Sequence, residues 1–309
     1  MKDESALATA LAAASCADAI LGDPRRLHPV AGFGRLAAHG ERISWRPNRL
    51  AGALYALTLV AAPSLAVGAL ERRVGPRARF TVRVLVIWAS LGARSLWREG
   101  RLMARELEAE DIAAARLRAP NLVGRDPSEL DSAELSRATL ESVAENTSDA
   151  IVAPLLWAAL AGAGGCAGYR AANTLDAMVG HRSPRYRQFG WGAARLDDLL
   201  NWPAARLTAA LVVLVAPLVG GSPARCWHIV RRDGGAHPSP NAGRVEASFA
   251  GALDVRLGGE NRYHGRLEQR PTLGDGQGPT ATDVTRAVQL SKVVTVAAVL
   301  VTATIARRR

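Results

Sequence analysis

Lysine is nearly missing from this chain: of 39 basic residues among 309, only Lys2 and Lys292 are lysines. None sits in a Gly-rich loop, which excludes the P-loop arrangement in which a lysine reaches bound phosphates. There is no GxSxG pattern either, so a serine nucleophile on a strand-to-helix elbow is excluded. Cysteine is scarce, with isolated Cys16, Cys166 and Cys226 and no CxxC pair. That removes a recognisable zinc framework and gives no hint of a disulfide scaffold, so each cysteine is expected to be a small buried apolar residue. Aromatics make up only 5% of the chain, and no basic stripe is interleaved with them. The net charge of +11 is spread as arginine over every charged block. This distribution argues against a nucleic-acid partner and for arginines flanking membrane spans.

What is abundant is apolar: 49% of residues are hydrophobic and 22% charged, with a mean hydropathy of +0.03. Such a balance requires segregation, and the sequence alternates apolar runs with charged blocks. A helix needs about 20 apolar residues to cross the ~30 Å hydrocarbon layer. Candidate spans are 5–22, 50–70, 80–97, 150–169, 204–222 and 287–306, the fifth bent or ended by Pro217. The expected fold is therefore all-α: a polytopic integral membrane helix bundle, one domain over 1–309, with irregular polar loops forming the site. Residues 5–17, ending near Ala13-Ala14-Ser15-Cys16, also suit a signal peptide. The acidic start Asp3-Glu4 and the apolar stretch beyond Cys16 favour a retained first helix. Residues 98–149 read as helices with a turn near Pro120 to Pro127. Gly and Pro make 225–286 read as mostly loop and turn. Basic residues flank nearly every span, which blunts any prediction of orientation.

Three polar blocks abut these spans. In ESVAENTSDAIVAPLLW, Glu141, Glu145 and Asp149 recur every four residues, on one helix face beside Asn146 and Ser148. Like charges at that spacing repel by ~0.2–0.5 kcal/mol per pair unless a cation relieves them. In YRAANTLDAMVG, Arg170, Asn173 and Asp176 share one face. That suits either a phosphate or polyamide ligand or an internal network capping the preceding span. In AARLDDLLNWPAAR, adjacent Asp197 and Asp198 are bracketed by Arg195 and Arg206, with Asn201 one turn on. Paired aspartates and arginines fit Mg²⁺ with phosphate oxygens. Solvated helix ends are the plainer reading of the first and third blocks alone. Two turns complete the set: Gly22-Asp23-Pro24 with His28-Pro29, and a polar turn of His237, Ser239, Asn241 and Gly243 able to approach an anion.

One geometric conflict follows. If 150–169 crosses fully, the acids on either side of it open onto opposite faces of the membrane. Gly162, Gly164 and Gly165 are therefore expected to let the run break and return, its irregular backbone buried in protein.

The stretches DAILGDPRRLHPV, ESVAENTSDAIVAPLLW, YRAANTLDAMVG, FGWGAARLDDLLNWPAARLTA and HPSPNAGRVEASFAGALDVRLGGENRY occur in order from Asp18 to Tyr263. Together they resemble the adenosylcobinamide-phosphate synthase (CobD/CbiB) family of cobalamin biosynthesis. One departure is that Pro203 stands one place earlier than in the family's N-x-x-P-A-R. The resemblance implies a multi-pass enzyme of the cell inner membrane. It would join adenosylcobyric acid to aminopropanol phosphate, or a related amino alcohol, in an amide, using ATP and Mg²⁺. It also implies association with other enzymes that build the B12 nucleotide loop. Glu141, Glu145, Asp149, Asp197 and Asp198 would be catalytic, with Asp197, Asp198 and Glu145 holding Mg²⁺. Arg170, Arg195 and Arg206 would hold phosphates. Asn146, Asn173, Asn201 and Asn241 would bind corrinoid amides. Asp23, His28, Asp176 and His237 would complete the substrate- and phosphate-binding set. The competing reading is a multi-pass permease or binding component for a corrinoid or another anionic metabolite. Transporters, however, tend to place ionisable groups at mid-membrane in broken helices.

Overall fold

A computed structural model describes residues 3–23, 28–124, 126–181, 183–263 and 266–308, the side chains of 260–263 and 266–268 excepted. Pro24, in the first expected turn, lies outside them. Helices follow in the order α1 (Asp3–Leu21), α2 (Pro29–Ser44), α3 (Arg49–Arg73), α4 (Pro76–Ser90), α5 (Ala93–Glu108), α6 (Ile112–Arg118) and α7 (Ser132–Thr147). Then come α8 (Ala153–Leu175), α9 (Tyr186–Phe189), α10 (Trp191–Val215), α11 (Pro223–Asp233) and α12 (Ala242–Leu253). A hairpin of β1 (Leu257–Tyr263) and β2 (Arg266–Leu273) precedes α13 (Ala281–Arg307). Wider π turns at Ser148–Val152 and Asp176–Gly180 flank α8. The protein is an all-α membrane protein, with five helices among the described residues long and apolar enough to span: Asp3–Leu21, Arg49–Arg73, Ser132–Gly180, Trp191–Val219 and Ala281–Arg307.

Two of the expected segments differ. The run 80–97 is split between α4 and α5, because Leu91 turns to extended backbone and the Gly92 N–H leaves the helix to bind the Ala150 carbonyl at 3.1 Å. The Gly- and Pro-rich region 225–286 holds two helices and the hairpin instead of mostly loop. Just before this region, Pro223 opens α11 where no N–H is required. Nor does Pro203 delay a helix: α10 runs from Trp191 straight through it. The expected Pro217 stop is present, as α10 ends at Val215 and gives way to a 3-10 turn at Ala216–Val219.

The chain divides into two compact units. The first comprises 1–92, 149–202 and 298–309. Its organising feature is α8, which is broken at Gly162, where φ is +70° and ψ −169°. A straight helix would separate Asp149 from Tyr169 by ~30 Å at 1.5 Å per residue. Yet the Tyr169 hydroxyl donates to the Asp149 carbonyl at 3.0 Å. The chain therefore doubles back at Gly162, as its glycines predicted. The returning half packs antiparallel to α3. A Cβ on Gly164 would lie 2.7 Å from the Ser64 carbonyl, and one on Gly168 would lie 3.0 Å from the Ser64 side chain. This is the close approach that a small-xxx-small pattern permits between membrane helices. The broken turn is capped: Glu71 accepts from the Gly164 N–H at 3.4 Å and pairs with Arg83 at 2.8 Å. Arg83 in turn reaches Asp3 at 2.9 Å, tying α1, α3 and α4 to the tip. At the other end of α3, Tyr55 stacks on Phe189 at 5.0 Å within a core that includes Ala37, Leu175 and Val179.

The second unit comprises 93–148 and 203–297. Met103, Leu107, Ala115, Leu130 and Leu135 form a core where α5 and α6 meet the start of α7. That start is fixed by a capping box, Asp131 accepting from Glu134 N–H at 2.8 Å and Glu134 from Asp131 N–H at 3.0 Å. Helices α11 and α12 pack closely enough that a Cβ on Gly251 would lie 2.7 Å from Cys226 Cα.

Candidate functional site

The fold-back of α8 assembles a polar cluster in the first unit from three stretches read separately in the sequence. Asn173, on the returning half, directs its amide toward both Asp149 Oδ2 (3.5 Å) and Asp197 Oδ1 (3.4 Å). Its own carbonyl oxygen accepts from Arg170 Nη1 at 3.2 Å. Asn201, one turn along α10, donates to Asp197 Oδ2 at 2.9 Å. The Tyr169 hydroxyl lies between the Asp149 carbonyl and Asn201 Oδ1, at 3.0 and 2.8 Å. Asp197, Asn201 and Tyr169 are buried, at 9%, 2% and 1% exposure, so these bonds are shielded from competing water. Asp198 pairs with the exposed Arg195 at 3.4 Å.

Asp176 completes the acidic side. It opens the π turn after α8, and a Cβ on Gly180 would fall 1.8 Å from its Oδ1, so the carboxylate occupies space only glycine leaves. Asp176 and Asp198 both lie within electrostatic reach of Asp197. The hydrogen bonds to Asp197 come from two neutral amides, leaving a buried carboxylate with like charges nearby. Such a group calls for a cation. Among the described residues, no three His, Cys, Asp or Glu side chains are grouped so as to hold a metal ion by themselves. That donor set suits Mg²⁺ held by one or two carboxylates, the rest of its shell being water and phosphate oxygens, better than a closed protein cage.

The three acids at four-residue spacing are divided between the two units. Asp149 belongs to the cluster just described, while Glu141 and Glu145 lie on α7 in the second unit. Buried Glu141 accepts from the Gly258 N–H at 2.9 Å, and Arg137, one turn earlier, donates to the Gly258 carbonyl. Gly258 has φ +75°, and a Cβ there would meet the Pro271 carbonyl at 2.1 Å. Glu141 and Arg137 thus clamp a backbone irregularity at the start of the hairpin. Glu145 is exposed, and Asn146 bonds back to the Ser142 carbonyl at 2.9 Å.

Both histidines brace turns. The Nδ1 atoms of His28 and His237 accept backbone N–H groups two residues ahead, from Val30 at 3.1 Å and Ser239 at 3.0 Å. Asp23 sits in the bend after α1. Also in the second unit, Arg206 donates to Asn241 Oδ1 at 3.2 Å, at the start of α12.

Charge states outside the spans follow from local partners. Hydrogen bonds from Arg232, then from the Gly274 N–H, hold the Asp233 carboxyl below the usual range against the opposing effect of burial. Burial raises Glu99, but bonds from Arg118 and Asn121 outweigh it and leave that carboxyl lowered.

The family model described as CobD/Cbib protein matches residues 11–291. A cobalamin biosynthesis protein CobD of Mycobacterium tuberculosis is 55% identical over 293 residues, covering 94% of each chain. Proteins of the same description from Chromobacterium violaceum and Rhodobacter capsulatus are 46% and 41% identical, over 88% of this chain in each case. No solved structure matches.

Proposed function

Because the chain belongs to the CobD/Cbib family of cobalamin biosynthesis, we propose that it is an amide-forming ligase of that pathway. It joins a propionate carboxylate of adenosylcobyric acid to aminopropanol phosphate or a related amino alcohol, at the expense of ATP. The observation that supports this reading most is Asn173 held between Asp149 and buried Asp197, a carboxylate with amide partners beside two further acids. The setting is the cell inner membrane, with the lipid bilayer as solvent for the spans and association with other nucleotide-loop enzymes.

A carboxylate is a poor electrophile and must be activated. Its oxygen takes the terminal phosphoryl group of ATP, releasing ADP, and the amine then attacks the acyl carbon. The new C–N bond forms as the C–O bond to phosphate breaks, inorganic phosphate leaves, and Asp149 accepts the proton lost by the amine. Asp197 and Asp198 would hold Mg²⁺, which supplies charge neutralisation for the transferred phosphoryl group. Asn173 and Asn201 fix the Asp197 carboxylate, and Arg170 and Arg195 offer guanidinium groups to phosphate oxygens.

The test is direct. Detergent-solubilised protein incubated with adenosylcobyric acid, aminopropanol phosphate and Mg-ATP is expected to yield the amide by mass spectrometry, with stoichiometric ADP. Absence of product in wild-type protein that retains its fold, or product formation without ATP, would sink the ligase reading.

A further inference from the structure

We propose that Arg206 and Arg244, together with the amino-terminal turn of α12, form a binding site for a phosphomonoester dianion. The inference rests on the ligase reading for the source of that phosphate, the phosphorylated amino alcohol. Arg244 was not among the residues the sequence pointed to.

Arg244 occupies the first turn of α12, a helix of 12 residues, where the aligned peptide dipoles already make the potential positive. A cation is unfavourable there unless an anion joins it. The guanidinium of Arg206 lies within electrostatic reach of Arg244, so two like charges face one another at a helix start. Neither relieves the other. Among the described residues Arg244 forms no ion pair, and its Nε–H is buried without an acceptor. A buried unsatisfied donor on a cation is costly, and the cost disappears when an oxyanion accepts from it.

The neighbouring polar groups are already aimed. Asn241 stands at the N-cap of α12, but its side chain does not cap; its Oδ1 receives Arg206 Nη1 at 3.2 Å and so fixes that guanidinium. The Ser239 hydroxyl takes over capping, accepting from the Asn241 and Ala242 N–H groups at 3.3 and 3.2 Å. A Cβ on Gly243 would lie 2.3 Å from His237 Cβ, so the His237 turn is pressed against the helix start and cannot drift from it. Two guanidinium forks and a helix amino terminus are the donors that hold the oxygens of a phosphate dianion.

The experiment uses full-length protein in detergent. Inorganic phosphate is the first probe, read as thermal stabilisation against a chloride control of equal ionic strength. Wild type and Arg231→Gln, which removes an exposed cation stacked on Trp227, are expected to be stabilised equally. Arg206→Gln and Arg244→Gln are expected to lose the effect, and Arg244→Lys to keep part of it. The second arm is kinetic. Arg244→Gln should raise KM for the phosphorylated amino alcohol on the order of 10- to 100-fold, as for loss of a charged hydrogen bond. It should leave KM for the unphosphorylated amino alcohol unchanged. A rise in KM for ATP alone would keep the phosphate site and reassign it to the nucleotide. If no amide forms with any variant while phosphate protection still depends on both arginines, the anion site stands and the ligase reading falls. Equal phosphate stabilisation of wild type and both glutamine variants, or equal KM changes for both amines, would overturn the site.

Discussion

Asn173 is a bridge whose removal has a direction that can be stated in advance. Replacing it by Leu keeps the branched shape but removes the donors that meet Asp149 and Asp197. Turnover of the amide-forming reaction is expected to fall about 10- to 100-fold, the range of a charged hydrogen bond lost in a shielded site. Membrane yield and detergent elution should stay unchanged; full activity would return Asn173 to a packing role. A second residue-scale expectation concerns Asp233, whose carboxyl is lowered chiefly by the Arg232 hydrogen bonds. The unfolded chain binds this proton more readily than the folded one. The stabilisation is therefore complete above the unfolded carboxylate range and is lost as pH falls toward the lowered native value. Melting of Asp233→Asn between about pH 6 and 3 should be less pH-dependent than that of wild type. Parallel curves would disprove the assignment. Asp197 and Asp198 were legible as a pair because adjacent acids beside an apolar run are conspicuous. Arg244 was not, since a lone arginine in RVEASF differs in no local way from the others. Only the approach of Arg206, distant in sequence, distinguishes it.

At the scale of elements, the broken helix α8 carries the most consequence. A Cβ on Gly164 would enter the Ser64 carbonyl at 2.7 Å, and the clash is with backbone, which yields little. Gly164→Ala is expected to cost about 1–3 kcal/mol of stability, as for other overpacked positions. Loss of the folded detergent-resistant form at lower temperature is the readout. Single cysteines at positions 149 and 177, in a background lacking Cys16, Cys166 and Cys226, should be labelled by an impermeant thiol reagent from one side only. Labelling from opposite sides would mean that the hairpin crosses. The break was legible in three glycines and in the conflict of acids on both sides of the run. Its cap was not, because Glu71, Arg83 and Asp3 come from three separate helices and no periodicity links them. The boundary between α4 and α5 was missed for a similar reason. An apolar helix and the first turn of an amphipathic one, joined at Leu91–Gly92, read as one run until the distant Ala150 carbonyl takes the Gly92 N–H.

For the whole molecule, burial separates helices that hydropathy makes alike. The apolar window of α3 is 17% buried, and Leu50, Leu54, Leu57 and Leu65 lie exposed along it. The window within Ser132–Gly180 is 72% buried at nearly the same hydropathy. The protein should resist alkaline carbonate extraction, since faces like that of α3 have no aqueous alternative; recovery in the soluble fraction would contradict this. The membrane architecture was legible from run length alone. The division into two units was not, because each is built from discontinuous stretches of chain. The doubled-back α8 also bears on how the molecule is made. During synthesis, the segment around Gly162 emerges after α3 and α4 but before α10, so part of its enclosure does not yet exist. Its apolar residues can wait in lipid, yet the opened backbone at Gly162 has no such refuge. The Glu71 cap comes from a helix already synthesised, so the turn can close against α3 at once. The Asp149–Asn173–Asp197 cluster must wait for α10. Closing the turn thus precedes completing the cluster, and a chain stalled between the two would be inserted without it.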